Sequence, residues 1–184
     1  GLTVLYDATP FTINPHLQKL PFDADKDLIP VTQVAVTPML MTVPKTSTYA
    51  TAADLVRAAK AAPGKLTFAS GGQGTVQYMA PELMNQAVGV KMLHIPYKSG
   101  GLAITGTLAN EVDMGFFNVS AISTHVKSGM VKALAITSAQ RNPLFPDVPT
   151  VAEVIGKRYE SYEWNGIFLP RGTPTDIVNR LNAA

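Results

Sequence analysis

The chain has 184 residues, of which 46% are hydrophobic and 15% are charged, as is usual for a soluble globular protein with one domain, or one lobe plus pieces of another. Its formal net charge is only +2 and its basic residues are scattered, which argues against a nucleic-acid partner. The absence of cysteine excludes thiol catalysis, disulfides and cysteine-ligated metal, and no run approaches the ~20 apolar residues of a membrane span.

Short apolar runs alternate along the chain with segments of helical periodicity. In chain order, the predicted elements are strand 2–6, strand 31–44, helix 49–64, strand 65–70, helix 76–88, strand 91–97, helix 102–111, strand 112–118, helix 119–129, strand 132–137 and strand 165–170. Several of these strands are continuous apolar runs, which suit the buried strands of a parallel sheet. The alternation predicts an α/β fold with a doubly wound sheet, whose ligands bind beyond the carboxyl ends of the strands.

Two proline-rich segments interrupt this alternation. Residues 10–30 carry four prolines and residues 138–150 carry three, and both segments are predicted to be ordered loops. Pro81 falls inside the predicted helix 76–88, where it removes a backbone donor at a cost of about 3 kcal/mol if nothing relieves it. A kink or a delayed start of that helix is therefore expected.

The stretch SGGQGT, residues 70–75, joins a predicted strand to a predicted helix. A nucleophile elbow requires Gly-x-Ser-x-Gly, which Ser70 does not satisfy, and neither the Walker nor the Rossmann glycine spacing is present. The acids and histidines show no metal-ligand spacing, so neither metal nor cofactor is expected. Two interpretations stay open: a plain glycine-rich turn, or an anion site in which exposed amides and the hydroxyls of Ser70 and Thr75 bind a carboxylate.

The same arrangement recurs twice along the chain. The sequence YKSGG (97–101) again follows a strand and opens a helix, and FFNVS (116–120) does so a third time, with Asn118 or Ser120 as a candidate helix cap or ligand contact. Because such turns lie at the carboxyl ends of the strands, all three are expected to converge at one sheet edge. The alternative is that the glycines merely open helices, that Asn118 only caps, and that the neighbouring aromatic residues belong to the core.

Longer motifs resemble one protein family. The run from PYKSGG at 96 to DVPTVAEV at 154 is similar to the periplasmic solute-binding proteins of tripartite tricarboxylate transporters, the Bug family, as are LPFDADKDLIPVTQVA (20–35), AAPGKLTFASGGQGT (62–75) and GIFLPRGTPTDIVNRLNAA (166–184). The resemblance implies a two-lobed, Venus-flytrap binding protein of the periplasm, without catalytic activity. Such a protein captures a small carboxylate or related metabolite between its lobes and delivers it to membrane permease subunits.

The resemblance also implies a division of the chain. Residues 45–164 correspond to a complete second lobe, residues 1–44 to a remnant of the first lobe with a crossing segment, and residues 165–184 to a crossing strand and return helix of the first lobe. Family members begin and end with further elements, so the chain is expected to be a central fragment. Exposed strand edges are then expected to favour a homodimer.

Carried over by resemblance, seven residues form the expected binding site. Four turn residues would grip a ligand carboxylate, two residues would line the cleft from the second lobe, and one would contribute from the first. They are, respectively, Ser70, Gly72, Gly74 and Thr75; Tyr97 and Asn118; and Thr9. Trp164 is expected to pack near the hinge instead of stacking on ligand.

Besides Pro81, which replaces a small residue, three residues depart from the family pattern. Phe117 occupies a position that is usually acidic, Ser99 replaces a glycine, and Asp7 stands where a small residue is common, which puts the polarity of the ligand side in question. Two alternatives from other classes stay open. A transcription regulator's effector-sensing domain shares the two-lobe fold and would be identified by a helix-turn-helix, which is not visible, whereas an enzyme would be identified by a serine–histidine pair within bonding reach.

Overall fold

The computed structural model of the chain describes residues 3–184. They form two compact units: the described residues up to Val36 together with Glu163–Ala184, here called the terminal unit, and Thr37–Tyr162, here called the central unit. The elements are β1 (Leu5–Ala8), α1 (Pro10–Leu17), α2 (Ala24–Asp27), β2 (Leu28–Pro44), α3 (Ala52–Ala61), β3 (Thr67–Ser70), α4 (Val76–Val88), β4 (Leu93–Pro96), α5 (Gly100–Leu108), β5 (Met114–Asn118), α6 (Val119–Lys127), β6 (Val131–Ile136), α7 (Val151–Ile155), β7 (Tyr162–Pro170) and α8 (Thr175–Asn182).

The described strands of the central unit form a mixed sheet in the order β6-β2-β5-β3-β4. Strand β3 pairs in parallel with both β4 and β5. The second half of β2 pairs antiparallel with β5 on one side and with β6 on the other. The predicted α/β class is confirmed, but the sheet is not wholly parallel, because β2 runs against its neighbours.

The helices of the central unit begin and end at the signals that the sequence carries. Helix α3 opens with a capping box, in which the Thr51 side chain accepts from the Asp54 amide while the Asp54 carboxylate accepts from the Thr51 amide. Helix α4 ends at Gly89, whose φ of 68° is the left-handed conformation that favours glycine. Helices α4, α5 and α6 begin within six residues of the carboxyl ends of the strands that precede them, β3, β4 and β5.

Pro81 lies inside α4 without ending the helix. The helix runs unbroken over Val76–Val88, and Pro81 is buried in it. The neighbouring carbonyl of Ala80 accepts a hydrogen bond of 2.8 Å from the buried Tyr159 hydroxyl. The expected delay in the start of this helix is therefore wrong, since α4 begins directly after Thr75.

Phe117, expected to alter the polarity of the ligand side, lies in the core of the central unit. Phe117 is fully buried in an apolar cluster with Ile122 and Ile136, and its ring lies against the backbone of Gly115, where a Cβ would overlap it. Phe117 therefore does not present an apolar surface to a ligand. The expected effect of Phe117 on the polarity of the ligand side is therefore absent.

The terminal unit corrects the prediction for residues 10–30. Strand β1 pairs antiparallel with β7, and the chain between β1 and β2 forms the helices α1 and α2 instead of a loop. Pro10 stands at the first position of α1, where its missing N–H costs nothing, and Asp23 caps α2 by accepting from two amides. The proline count misled because Pro10 marks a helix start. The second proline-rich segment, 138–150, contains no described helix or strand, as predicted.

The predicted strand 2–6 begins outside the described residues, and β1 covers Leu5–Ala8. Among residues 3–184, no helix has the length and apolarity needed to cross a membrane.

Candidate functional site

Residues 70–75 form a tight turn that joins β3 to α4. The Gly71 amide donates to the side-chain oxygen of Gln77 at 3.0 Å, and the Gly72 amide donates to Ser70 Oγ, also at 3.0 Å. The carbonyl of Gly72 accepts from the Thr75 amide at 3.2 Å and from Thr75 Oγ1 at 2.7 Å. Gly72 has a φ of 120°, which only glycine adopts readily. Internal bonds therefore fix the shape of the turn.

Other amides of the same turn have no acceptor within the described part of the chain. They belong to Gln73 and Gly74 in the turn and to Val76 and Gln77 in the first turn of α4. Thr75, the N-cap of α4, makes no side-chain capping bond to that helix. The turn thus combines properties of both interpretations: three of its amides are satisfied internally, while Gln73 and Gly74 remain donors for an anion.

The second polar turn packs directly against the first. The Tyr97 amide donates to the Ser70 carbonyl at 2.9 Å, and a Cβ on Gly71 would lie 3.0 Å from the Gly100 nitrogen. The Gln77 side chain fills the space between the two turns, because a Cβ on Gly100 would lie 2.5 Å from its Nε2. The predicted convergence of these two turns is confirmed.

Gln77 is a positioning residue that the sequence reasoning missed. It stands at the second position of α4, and its side chain reaches back to hold the Gly71 amide. The signal that could have found it is a lone amide side chain in the first turn of a helix that follows a glycine-rich turn.

The Tyr97 side chain extends away from the first turn, along α5. Its hydroxyl donates to Glu111 Oε2 at 2.9 Å, and its ring lies over Gly106, where a Cβ would overlap it. Burial, reinforced by the Glu111 carboxylate, raises the pKa of the Tyr97 hydroxyl. The backbone of Tyr97 supports the turn, whereas its hydroxyl is engaged at Glu111.

Asn118 closes β5 at the same edge of the sheet. It lies opposite Met39 of β2, and parallel pairing of β5 with β3 brings the ends of both strands to that edge. Its side chain makes no capping bond to the first turn of α6. Asn118 therefore stands at the N-cap position of α6 without capping the helix through its side chain.

Thr9 belongs to the terminal unit, unlike the other six predicted site residues. Its side-chain oxygen accepts from the Trp164 amide at 3.1 Å, and its own amide donates to the Trp164 carbonyl at 3.1 Å. The Trp164 ring lies 6.2 Å from that of Phe168, and both line a cavity of about 550 Å³ with Phe11. None of the seven predicted site residues lines this cavity.

Ser70 and His94 form a hydrogen-bonded pair behind the first turn. Ser70 Oγ lies 2.7 Å from His94 Nε2, so a serine–histidine pair within hydrogen-bonding distance, the feature expected of an enzyme, is present. Ser70 is fully buried, however, and its oxygen also accepts from the Gly72 amide. A hydroxyl enclosed in this way supports the turn and presents no nucleophile to a substrate.

The described residues hold no group of three or more histidine and acidic side chains that could bind a metal ion. The converging turns offer hydrogen-bond donation by backbone amides and polar side chains.

Comparisons with known proteins identify the family of the chain. A family model described as the tripartite tricarboxylate transporter family receptor matches residues 1–184. The UPF0065 protein of the tcbD–tcbE intergenic region of Pseudomonas sp. strain P51 is 36% identical over 185 residues, which cover 100% of this chain and 55% of that protein.

Two solved structures have the same fold. Rpa4515 of R. palustris, solved with adipate, superposes with a TM-score of 0.94 at 29% identity, over 100% of this chain and 62% of the other. MatC of Rhodopseudomonas palustris, with bound malate, superposes with a TM-score of 0.85 at 27% identity, over 98% and 61% of the two chains. The chain thus spans a little over half the length of the relatives it matches.

Proposed function

Since the chain belongs to the tripartite tricarboxylate transporter family of receptors, we propose that it takes part in capturing a small carboxylate from the periplasm for delivery to membrane permease subunits. The ligand class rests on the turn at residues 70–75. The two-lobed protein would close on the ligand, with residues 45–164 as the second lobe.

The observation that carries this proposal is the pair of amides at Gln73 and Gly74, which have no acceptor among the described residues. They lie where β3 ends and α4 begins, and the uncapped first turn of α4 adds the partial positive charge of a helix N-terminus. A carboxylate can accept from such amides without a basic side chain.

The relatives narrow the choice of ligand. Adipate in Rpa4515 and malate in MatC are both dicarboxylates. A dicarboxylate offers one carboxylate to the turn and leaves a second for other contacts, such as Asn118 at the neighbouring strand end. We therefore propose dicarboxylates of this size as the first ligands to test.

The seven residues carried over by resemblance take different roles in this proposal. Gly72 and Gly74 allow close approach of the ligand, and Thr75 fixes the turn by donating its hydroxyl proton to the Gly72 carbonyl. Ser70 acts through Gly72, because its own oxygen is buried. Tyr97 lines the site through its backbone.

The regulator alternative has no specific observation in its favour. The family match is to a receptor of a transporter, and no feature of the described residues favours signal transmission over solute capture. Effector sensing is accordingly not proposed.

Substitution of Gly74 by Asp tests the proposed function. Gly74 is not among the described residues with positive φ, so Asp there needs no left-handed backbone and places a negative charge beside the donor amides. We expect Gly74→Asp to abolish the binding of adipate and malate in calorimetry and to leave the melting temperature nearly unchanged.

The matched control is Gln140→Asp, which adds the same charge to an exposed loop position. It should bind like the wild type. Equal affinity of Gly74→Asp and the wild type for the same dicarboxylate would contradict the proposed function.

A further inference from the structure

His94 has no role in the capture of a carboxylate as described so far, although its hydrogen bond to Ser70 lies directly behind the turn. Ser70 Oγ is 2.7 Å from His94 Nε2 and accepts from the Gly72 amide at 3.0 Å. Ser70 is fully buried, so water cannot replace either partner. The hydrogen bonds of the Ser70 hydroxyl therefore influence the backbone conformation of Gly72.

The hydroxyl proton of Ser70 has two candidate acceptors. The first is His94 Nε2 at 2.7 Å, and the second is the Gly72 carbonyl at 3.4 Å. That carbonyl already accepts from both the amide and the hydroxyl of Thr75. The shorter, unoccupied acceptor is His94, which requires a neutral ring with its proton on Nδ1.

The surroundings of His94 favour the neutral ring. The imidazole stacks on Phe68 at a centroid distance of 5.0 Å and lies 4.7 Å from the ring of Tyr78. Burial is the one cause that lowers its pKa. Of the elements packed against it, β3 carries no ionisable side chain, and α4 carries only Tyr78 and Glu82, neither of which shifts that pKa.

We propose that His94 is a positioning residue of the carboxylate turn, acting through Ser70. The bare Nε2 of neutral His94 accepts a hydrogen bond from the Ser70 hydroxyl, so a serine lone pair faces the Gly72 amide and holds Gly72 in its left-handed conformation. This leaves the amides of Gln73 and Gly74 available to the ligand. The inference rests on the proposed function and assigns a role to a histidine that does not touch the ligand.

Three variants of the full chain separate this role from packing. His94→Phe keeps a ring between Phe68 and Tyr78 but removes the acceptor, Ser70→Ala removes the donor, and His94→Gln returns an acceptor without a titrating ring. We expect His94→Phe and Ser70→Ala each to weaken adipate binding about tenfold, as for the loss of one buried hydrogen bond. The double variant that combines His94→Phe with Ser70→Ala should bind adipate no more weakly than either single variant. His94→Gln should keep most of the wild-type affinity.

The control is His125→Gln, on α6, which should bind adipate like the wild type. Additive losses in the double variant, or wild-type affinity in His94→Phe, would overturn the proposal. Melting temperatures measured alongside show whether a loss of affinity reflects unfolding.

Nitrogen NMR of the imidazole tests the same bond without any ligand. The proposal requires a bare Nε2 and a protonated Nδ1 at neutral pH, and His94→Phe should shift the amide signals of Gly72, Gln73 and Gly74. A protonated Nε2, or unmoved amides, would overturn it. If the wild type binds no dicarboxylate, the proposed function fails, and these two signals still decide the role of His94.

Discussion

Gly72 is the residue at which the backbone itself restricts the sequence. Its φ of 120° is strained for any other L-residue, although a Cβ there would meet no atom within 4 Å. We expect Gly72→Ala to lower the free energy of unfolding by about 1–2 kcal/mol and also to weaken dicarboxylate binding, because the turn would relax.

Gly64 provides a matched control for that prediction. It has a φ of 75°, also with open space at the Cβ position, and it lies in the turn after α3. Gly64→Ala should cost similar stability in urea unfolding and leave affinity unchanged. Equal affinity of the two variants would show that the conformation of Gly72 does not matter for binding.

His94 should give the chain a pH-dependent stability. Burial lowers its pKa below the ordinary value of 6.5, so the unfolded chain binds the proton more tightly than the folded chain. The free energy of unfolding is therefore expected to fall as the pH drops from 6.5 towards the folded pKa, and to level off below it. Urea unfolding of the wild type and of His94→Gln across this range measures the effect.

The histidines His16 and His125 are common to both proteins, so the difference between the two curves isolates His94. A difference that does not change with pH would contradict the expected titration.

At the scale of elements, the contact between α5 and Tyr97 depends on a glycine in the helix. A Cβ on Gly106 would overlap the Tyr97 ring, with Cε1 only 2.8 Å away. We expect Gly106→Ala to destabilise the chain by about 1–3 kcal/mol in thermal unfolding, because the ring and its bond to Glu111 must move. Gly101→Ala, in the same helix but 3.9 Å from the nearest atom, should be neutral or stabilising. A neutral Gly106→Ala would show that Tyr97 can move freely.

The sequence predicted most elements of the central unit because they carry local signals, but the short helix α7 was missed. The capping box at Thr51 and Asp54, and the glycine that ends α4, are local features that tertiary packing left in place. The antiparallel direction of β2 was missed, since pairing between distant segments leaves no mark on a single strand. Helix α1 was missed because Pro10 and Pro15 were both taken to break helices, although the first of them opens one.

The convergence of the first two polar turns was predicted, whereas the side-chain contacts around them were not. The glycine-rich turn and its neighbour at Tyr97 come together as expected. The roles of Gln77 and His94 could not be read from the sequence, because both depend on side chains that reach back from the next element. Burial of Ser70 was hidden for the same reason, since a serine at the end of a strand can face either the ligand or the core.

At the scale of the whole molecule, the central claim is that the turn at residues 70–75 binds a carboxylate through its amides. The homodimer through exposed strand edges stays a prediction, which light scattering of the chain would test. The lobe assignment and the contribution of Thr9 also stay predictions, since they concern the arrangement that closes on a ligand.

The most direct test is a titration of the nitrogen-15-labelled chain with adipate, followed by amide NMR. We predict saturable shifts of the Gln73 and Gly74 amides, with smaller shifts at Val76 and Gln77 and none at Gly129, which lies beyond the far end of α6. Saturation of the chain with adipate while the Gln73 and Gly74 amides stay unmoved would contradict the account.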